Sequence, residues 1–306
     1  MSPVRQRPPH FATGLLLATM GSIAFSGKAI IVKLAYRYGV DAVTLIMYRM
    51  LFALPMFLFM AWWGTVRPKN GVPHRLTRRD WLGVLGLGLT GYYLASFLDF
   101  AGLAYITASL ERLILYLNPT LVLLLGWLLY RRRIGHTQMV GMAISYLGVV
   151  LVFGHEIHLQ GTQAAWGAVL VFLSAVSYAI YLVYSGELVQ RLGSLRLVGL
   201  ATSAACVFCI LQFVLLRPLS AANVAPQVLW LSLLNATVCT AAPVLMVMMA
   251  IERIGAGLSA QTGMVGPMST ILMGVVILGE PFTGWIVAGT VLVIAGIFVF
   301  TRPPAA

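Results

Sequence analysis

Charge is what this chain lacks most. Of its 306 residues 9% are charged and 60% hydrophobic, whereas soluble domains carry about 25% charged residues. A water-soluble globule is excluded. Long polar linkers are missing as well: the longest connection, Gly64 to Arg79, cannot hold a second folded domain, so any function sits among helices or on short loops. Acidic residues number eight and cysteines three. Cys206, Cys209 and Cys239 all lie in apolar stretches. Cys206 and Cys209 have the spacing of a metal or redox pair but no histidine or further cysteine beside them, and read as small packing residues.

What the chain does have is apolar stretches of membrane-crossing length. About 30 Å of hydrocarbon takes roughly 17 to 25 helical residues. Ten such spans are predicted: 11–36, 42–63, 80–103, 107–130, 137–153, 165–187, 195–217, 226–250, 257–279 and 283–301. The expected fold is an all-α polytopic membrane protein. The formal charge of +12 would suggest nucleic-acid binding in a soluble protein, but its placement gives another meaning. Of twenty Lys and Arg, fourteen fall before the first span, after the last or in even-side connections, and three (Lys33, Arg37, Arg217) fall on the opposite side. By the positive-inside rule both termini are cytoplasmic, and no nucleic-acid partner is implied. The start also reads as a signal peptide with Ser22 and Ala24 at a cleavage site, but its apolar run continues to Tyr36, and the internal symmetry below needs this helix retained.

The chain repeats itself. A shift of 148 positions sets Ala108 on Ala256, Leu110 on Leu258, Pro119 on Pro267, Gly126 on Gly274, Gly141 on Gly289 and Gly148 on Gly296. Two five-helix repeats, 1–158 and 159–306, are predicted. Because five is odd, the second is inverted relative to the first. Gly141 with Gly148, and Gly289 with Gly296, are seven apart, so each pair lies on one helix face and admits a close neighbour. Gly86-Leu-Gly88-Leu-Thr-Gly91 matches a dinucleotide fingerprint, but no strand precedes it inside a membrane helix, and it reads as packing.

Prolines and charges inside the spans carry the functional reading. Pro119 and Pro267 remove a helical hydrogen bond each, freeing the Leu115 and Gly263 carbonyls, and are read as paired hinges; two packing kinks are the plainer alternative. Asn118 can supply a local donor. Lys28, Arg49, Asp99, Glu111 and Arg112 are expected at one level in the non-cytoplasmic half of the first four spans. A lone charge there costs about 3 kcal/mol or more, so they are read as a mutually compensating cluster: an outer gate or a site for a zwitterion. The alternative is that Lys28 and Asp99 reach the interface while Glu111 pairs locally. Tyr92, Tyr178, Tyr181, Asn118, Asn235 and Gln261 are candidates for lining a cavity suited to a modest organic solute.

Other classes find less support. His155-Glu156-Ile157-His158 clusters metal-ligand types, but in what reads as a short solvated connection, so no metal is assigned. HExxH, paired membrane aspartates and a serine near an intramembrane histidine are all missing from the sequence, so no enzyme and no cofactor are expected. A sensor would need an output domain the chain does not display.

Gly279-Glu280-Pro281 at the end of the ninth span, the glycines that follow it, and Tyr48-Arg49 resemble the drug/metabolite transporter superfamily. Within it the chain is similar to EamA-type bacterial transporters, and to amino-acid exporters of the YddG type. The resemblance covers nearly the whole chain. It departs at Arg132, where the first copy has no counterpart of Glu280, and at Glu111-Arg112, where the second copy has Ser259-Ala260. It implies a bacterial inner-membrane transporter exporting amino acids, aromatic or apolar ones included, or related small metabolites by alternating access. Efflux of organic cations, or transport of sugars or nucleobases, is the alternative. The partners implied are a small-molecule substrate and membrane lipids, with monomer and dimer both open. Proton coupling through Glu111 or Asp99 is left open, because an ion-paired carboxylate holds a proton poorly near neutrality.

Overall fold

A computed structural model describes residues 11–67, 75–131, 134–263 and 265–300, and among these the regular structure is helical throughout. We number ten helical segments. They are α1 (Phe11–Tyr36), α2 (Ala42–Val66), α3 (Arg78–Leu103), α4 (Ala108–Leu115 then Asn118–Tyr130), α5 (His136–Gln160), α6 (Thr162–Leu192) and α7 (Ser194–Leu216), followed by α8 (Pro226–Ala236, continuing to Gly263), α9 (Val265–Met273 with Gly274–Leu278) and α10 (Gly284–Phe300). The first eight are long and apolar enough to cross a membrane, while Met268–Leu278 and Gly284–Val299 are shorter apolar helices. The outer surface is built of large apolar side chains such as Leu128, Leu215, Trp230 and Val276. Such a surface suits lipid, where backbone groups must be satisfied within each helix.

Helix ends follow local chemistry. Asp41 caps α2 by accepting from the Val43 and Thr44 amides, and Thr77 with Asp80 forms a capping box at α3. Single glycines, Gly161 and Gly193, separate α5 from α6 and α6 from α7; their φ values of +73° and +80° are left-handed, which lets the chain reverse within one residue.

Three boundaries differ from expectation. Helix α5 runs to Gln160, so His155–His158 is helical and Glu156 is buried, not part of a solvated loop. Helix α8 continues unbroken to Gly263 rather than ending near residue 250, because no proline interrupts the stretch after Pro243. Helix α4 is not merely kinked: it ends at Leu115 and restarts at Asn118. Pro119 therefore stands in a first turn, where its missing N–H costs nothing.

The packing pairs include α2 with α7, α5 with α10, α1 with α8, α3 with α6, α1 with α9, α4 with α6, α3 with α7 and α2 with α8. Glycines set the closest approaches. A Cβ at Gly148 would lie 2.7 Å from the Gly289 carbonyl oxygen, and one at Gly296 would lie 2.6 Å from that of Gly141. Two π-helical turns, Gly88–Leu94 in α3 and Thr237–Ala241 in α8, fall over each other under the same shift of 148 positions that aligns the prolines. Extra-residue turns of this kind often mark functional places in a helix.

Candidate functional site

The segment after the π turn of α3, Ala95–Leu103, carries Ser96 and Asp99 one turn apart and hence on one face. Helix α1 presents Lys28 to that face and the first piece of α4 presents Glu111. The Lys28 ammonium lies 2.5 Å from Asp99 Oδ2 and 3.5 Å from Glu111 Oε1. Asp99 is 2% exposed and Glu111 0%. Both carboxylates therefore face the same ammonium. Ionised, neither Glu111 oxygen nor Asp99 Oδ1 receives a hydrogen bond.

Arg49 is buried beside them. Its Nη2 donates to Ser96 Oγ at 2.9 Å, its guanidinium lies 4.7 Å from the Phe100 ring centroid, and its Nε has no partner. An aromatic face attracts the cation without satisfying its N–H groups. Arg112 donates through Nε to Thr270 Oγ1 on α9 at 2.9 Å and through Nη2 to the Phe25 carbonyl on α1 at 3.5 Å, so it ties α4 to α9 and α1. The site therefore contains buried acceptors without donors and a buried donor without an acceptor, an arrangement native interiors rarely keep without a ligand or water.

The tyrosines come together as a second layer. Tyr178 and Tyr181 stack with centroids 5.5 Å apart, Tyr92 meets Tyr181 edge-on at 5.2 Å, and their hydroxyls are 3.4 Å apart. Tyr92 precedes Asp99 by about two helical turns along α3. A Cβ at Gly91 would fall 2.4 Å from the Tyr181 ring, so the glycine is what admits that ring. Asn118 opens the second piece of α4 with Oδ1 buried and unpartnered, and Asn235 is likewise buried with both amide atoms unpartnered. The Gln261 and Pro267 side chains lie outside the described residues; the Pro267 backbone belongs to the first turn of α9. Beside that turn, Ser26 on α1 donates to the Gly266 carbonyl at 2.6 Å, tying α1 to the start of α9.

Lys28 serves both carboxylates, with the shorter contact to Asp99 and the longer one to Glu111. Two contacts, of Glu280 and of Thr107, were not expected from the residues alone. Glu280 folds back on α4, accepting from the Ala108 amide at 2.6 Å, the Ser109 amide at 3.2 Å and the Ser109 hydroxyl at 2.8 Å. Thr107 donates to Glu156 Oε1 at 2.5 Å while accepting from the Leu110 amide at 3.1 Å. The available signal was a threonine followed three residues later by an apolar helical run, an N-cap pattern.

Comparison with known proteins accords with a multi-pass carrier. The EamA-like transporter family matches twice, over residues 12–154 and 165–302. The "Uncharacterized transporter YcbK" of Bacillus subtilis (strain 168) is 30% identical over 280 residues, covering 88% of this chain and 86% of that protein. A "Probable amino-acid metabolite efflux pump" of Salmonella typhimurium (strain LT2) is 28% identical over 265 residues, covering 82% of each. One solved crystal structure superimposes with a TM-score of 0.61 at 18% identity, covering 95% of this chain and 98% of that one, a likeness of fold alone. With the family matched over most of its length, and a relative at 30% identity that it covers almost fully, this chain belongs to the EamA-like transporter family.

Proposed function

We propose that this transporter exports amino acids, or closely related zwitterionic metabolites, across a bacterial inner membrane by alternating access. The observation that carries this reading is the pairing of unsatisfied groups of both signs in one buried site. A zwitterion supplies the complement of each: its carboxylate accepts from Arg49, and its ammonium donates to Asp99 Oδ1 and Glu111. The tyrosine layer two turns away favours apolar or aromatic side chains. The relative described as an amino-acid metabolite efflux pump supports the same class.

The mechanism is rocking of two inverted five-helix repeats, 1–158 and 159–306, with both termini in the cytoplasm. Two successive family matches support that division. So does the packing, because an exchange of repeats turns α3 with α6 into α8 with α1, and α4 with α6 into α9 with α1, leaving α2 with α7 and α5 with α10 unchanged. The helix breaks beside Pro119 and Pro267 act as hinges in this scheme. Proton coupling, if present, would run through the Asp99 and Glu111 carboxylates that face Lys28.

Counterflow in proteoliposomes tests the reading. Vesicles are preloaded with unlabelled amino acids in turn, labelled phenylalanine or threonine is added outside, and a pH gradient is imposed or omitted. Accumulation of label is expected. Its response to the gradient separates proton coupling from facilitation. Label that never accumulates, in vesicles holding folded protein, would move the assignment to organic cations, sugars or nucleobases.

A further inference from the structure

The first turn of α4 is satisfied by two different parts of the chain. An α-helix leaves its first four amides without intrahelical acceptors. Here Leu110 N bonds the Thr107 side chain, while Glu111 N makes the first intrahelical bond, to the Thr107 carbonyl at 3.1 Å. Ala108 N and Ser109 N both bond Glu280, which lies in the connection between α9 and α10, 172 residues from Ala108. A carboxylate at a helix N-terminus also meets the positive end of the helix dipole.

The carboxylate is held in place from its own side. The Glu280 amide donates to the Gly274 carbonyl at 3.1 Å, closing the π turn of α9. A Cβ at Gly274 would lie 2.8 Å from Glu280 Oε2. Arg37, at the end of α1, donates to the neighbouring Leu278 carbonyl at 2.9 Å. The contact joins the second half of the chain to the helix that carries Glu111, one turn from the capped amides.

We propose that Glu280 is the latch of the external gate: it holds α9 and α10 against the start of α4, and the gate opens when this carboxylate leaves the Ala108 and Ser109 amides. The inference rests on the alternating-access reading and on cytoplasmic termini, which put this end of α4 outside.

The test reads accessibility and needs no substrate, so its failure is distinct from failure of the amino-acid assignment. Ala108 is fully buried, and the natural cysteines are buried as well. Ala108→Cys is introduced into the full chain, and its labelling by a membrane-impermeant maleimide is timed in right-side-out and inverted vesicles. Glu280→Gln is expected to speed labelling from the outside by about tenfold or more, the factor that loss of one charge-assisted hydrogen bond produces. Gly274→Ala, which displaces the carboxylate without removing it, is expected to do the same, so the result does not depend on one variant folding. No acceleration in either variant, or acceleration confined to inverted vesicles, overturns the proposal.

Discussion

Lys28 and Asp99, 71 residues apart on α1 and α3, meet at 2.5 Å inside the helical bundle. This pair anchors the site, because each charge makes the other tolerable in a medium where either alone is costly. It is also where the first prediction lies. Asp99→Asn leaves the ammonium with Glu111 alone, and the loss of one partner of a buried pair typically costs about 3–5 kcal/mol. Thermal unfolding in detergent is expected to drop accordingly. The double variant Asp99→Asn with Lys28→Gln should recover most of that loss while remaining inactive in counterflow. Single-variant costs of Asp99→Asn and Lys28→Gln that simply add in the double variant would mean that the two residues do not interact.

Glu111→Gln separates stability from function. Since neither Glu111 oxygen receives a hydrogen bond, removing its charge is expected to leave the unfolding temperature unchanged or higher. Counterflow should fall at least about tenfold, as for loss of one charge-assisted contact. Transport at the wild-type rate would remove Glu111 from the site.

At the seam between α5 and α10, Gly289→Ala is expected to destabilise by about 1–3 kcal/mol, the usual cost of overpacking. Its Cβ would sit 2.2 Å from Val152 Cγ2 and 2.7 Å from the Gly148 carbonyl oxygen, positions held by packed helices on both sides. Gly284→Ala serves as the control, with nothing within 4 Å of its Cβ, and should be neutral in the same melt.

Outside the spans, Arg217 donates to Asp41 at 3.1 Å. Partial burial pushes the Asp41 carboxyl up, but bonds from the Thr44 hydroxyl and amide, with Arg217, outweigh it and hold the group below its ordinary value. A carboxyl depressed in the folded state stabilises above its unfolded value, about 3.9, and loses that contribution as pH falls through the folded value. Stability from this group is therefore flat above about pH 5 and declines below about pH 4. Arg217→Gln should shrink the acid decline. Because Asp41 is 37% exposed on its side chain, the pair is worth less than about 1 kcal/mol and weakens with salt. A decline of equal depth in the variant would show that Arg217 does not act on Asp41.

Much of this was readable one residue at a time. The apolar stretches, the glycines at 141, 148, 289 and 296, and the prolines declare themselves through composition and register, and the structure brings those glycines against one another. The His155–His158 segment was not readable in that way. Its polar residues look like a loop, yet Glu156 is buried because Thr107 supplies a hydrogen bond from another helix. Local polarity cannot report such a partner. Helix α4 makes a similar point, since a proline in sequence announces an interruption but not whether the helix bends or stops.

The sequence by itself determined that the chain is a helical membrane protein, because hydrophobic length and helix period are properties of short segments. Tertiary structure alone decided which charges meet. Glu111 and Arg112 are neighbours in the chain but leave the helix about 100° apart, so one faces Lys28 on α1 and the other Thr270 on α9. Glu280 finds Ala108 across 172 residues only after four amides have been left open at a helix start and the second half of the chain has folded against it.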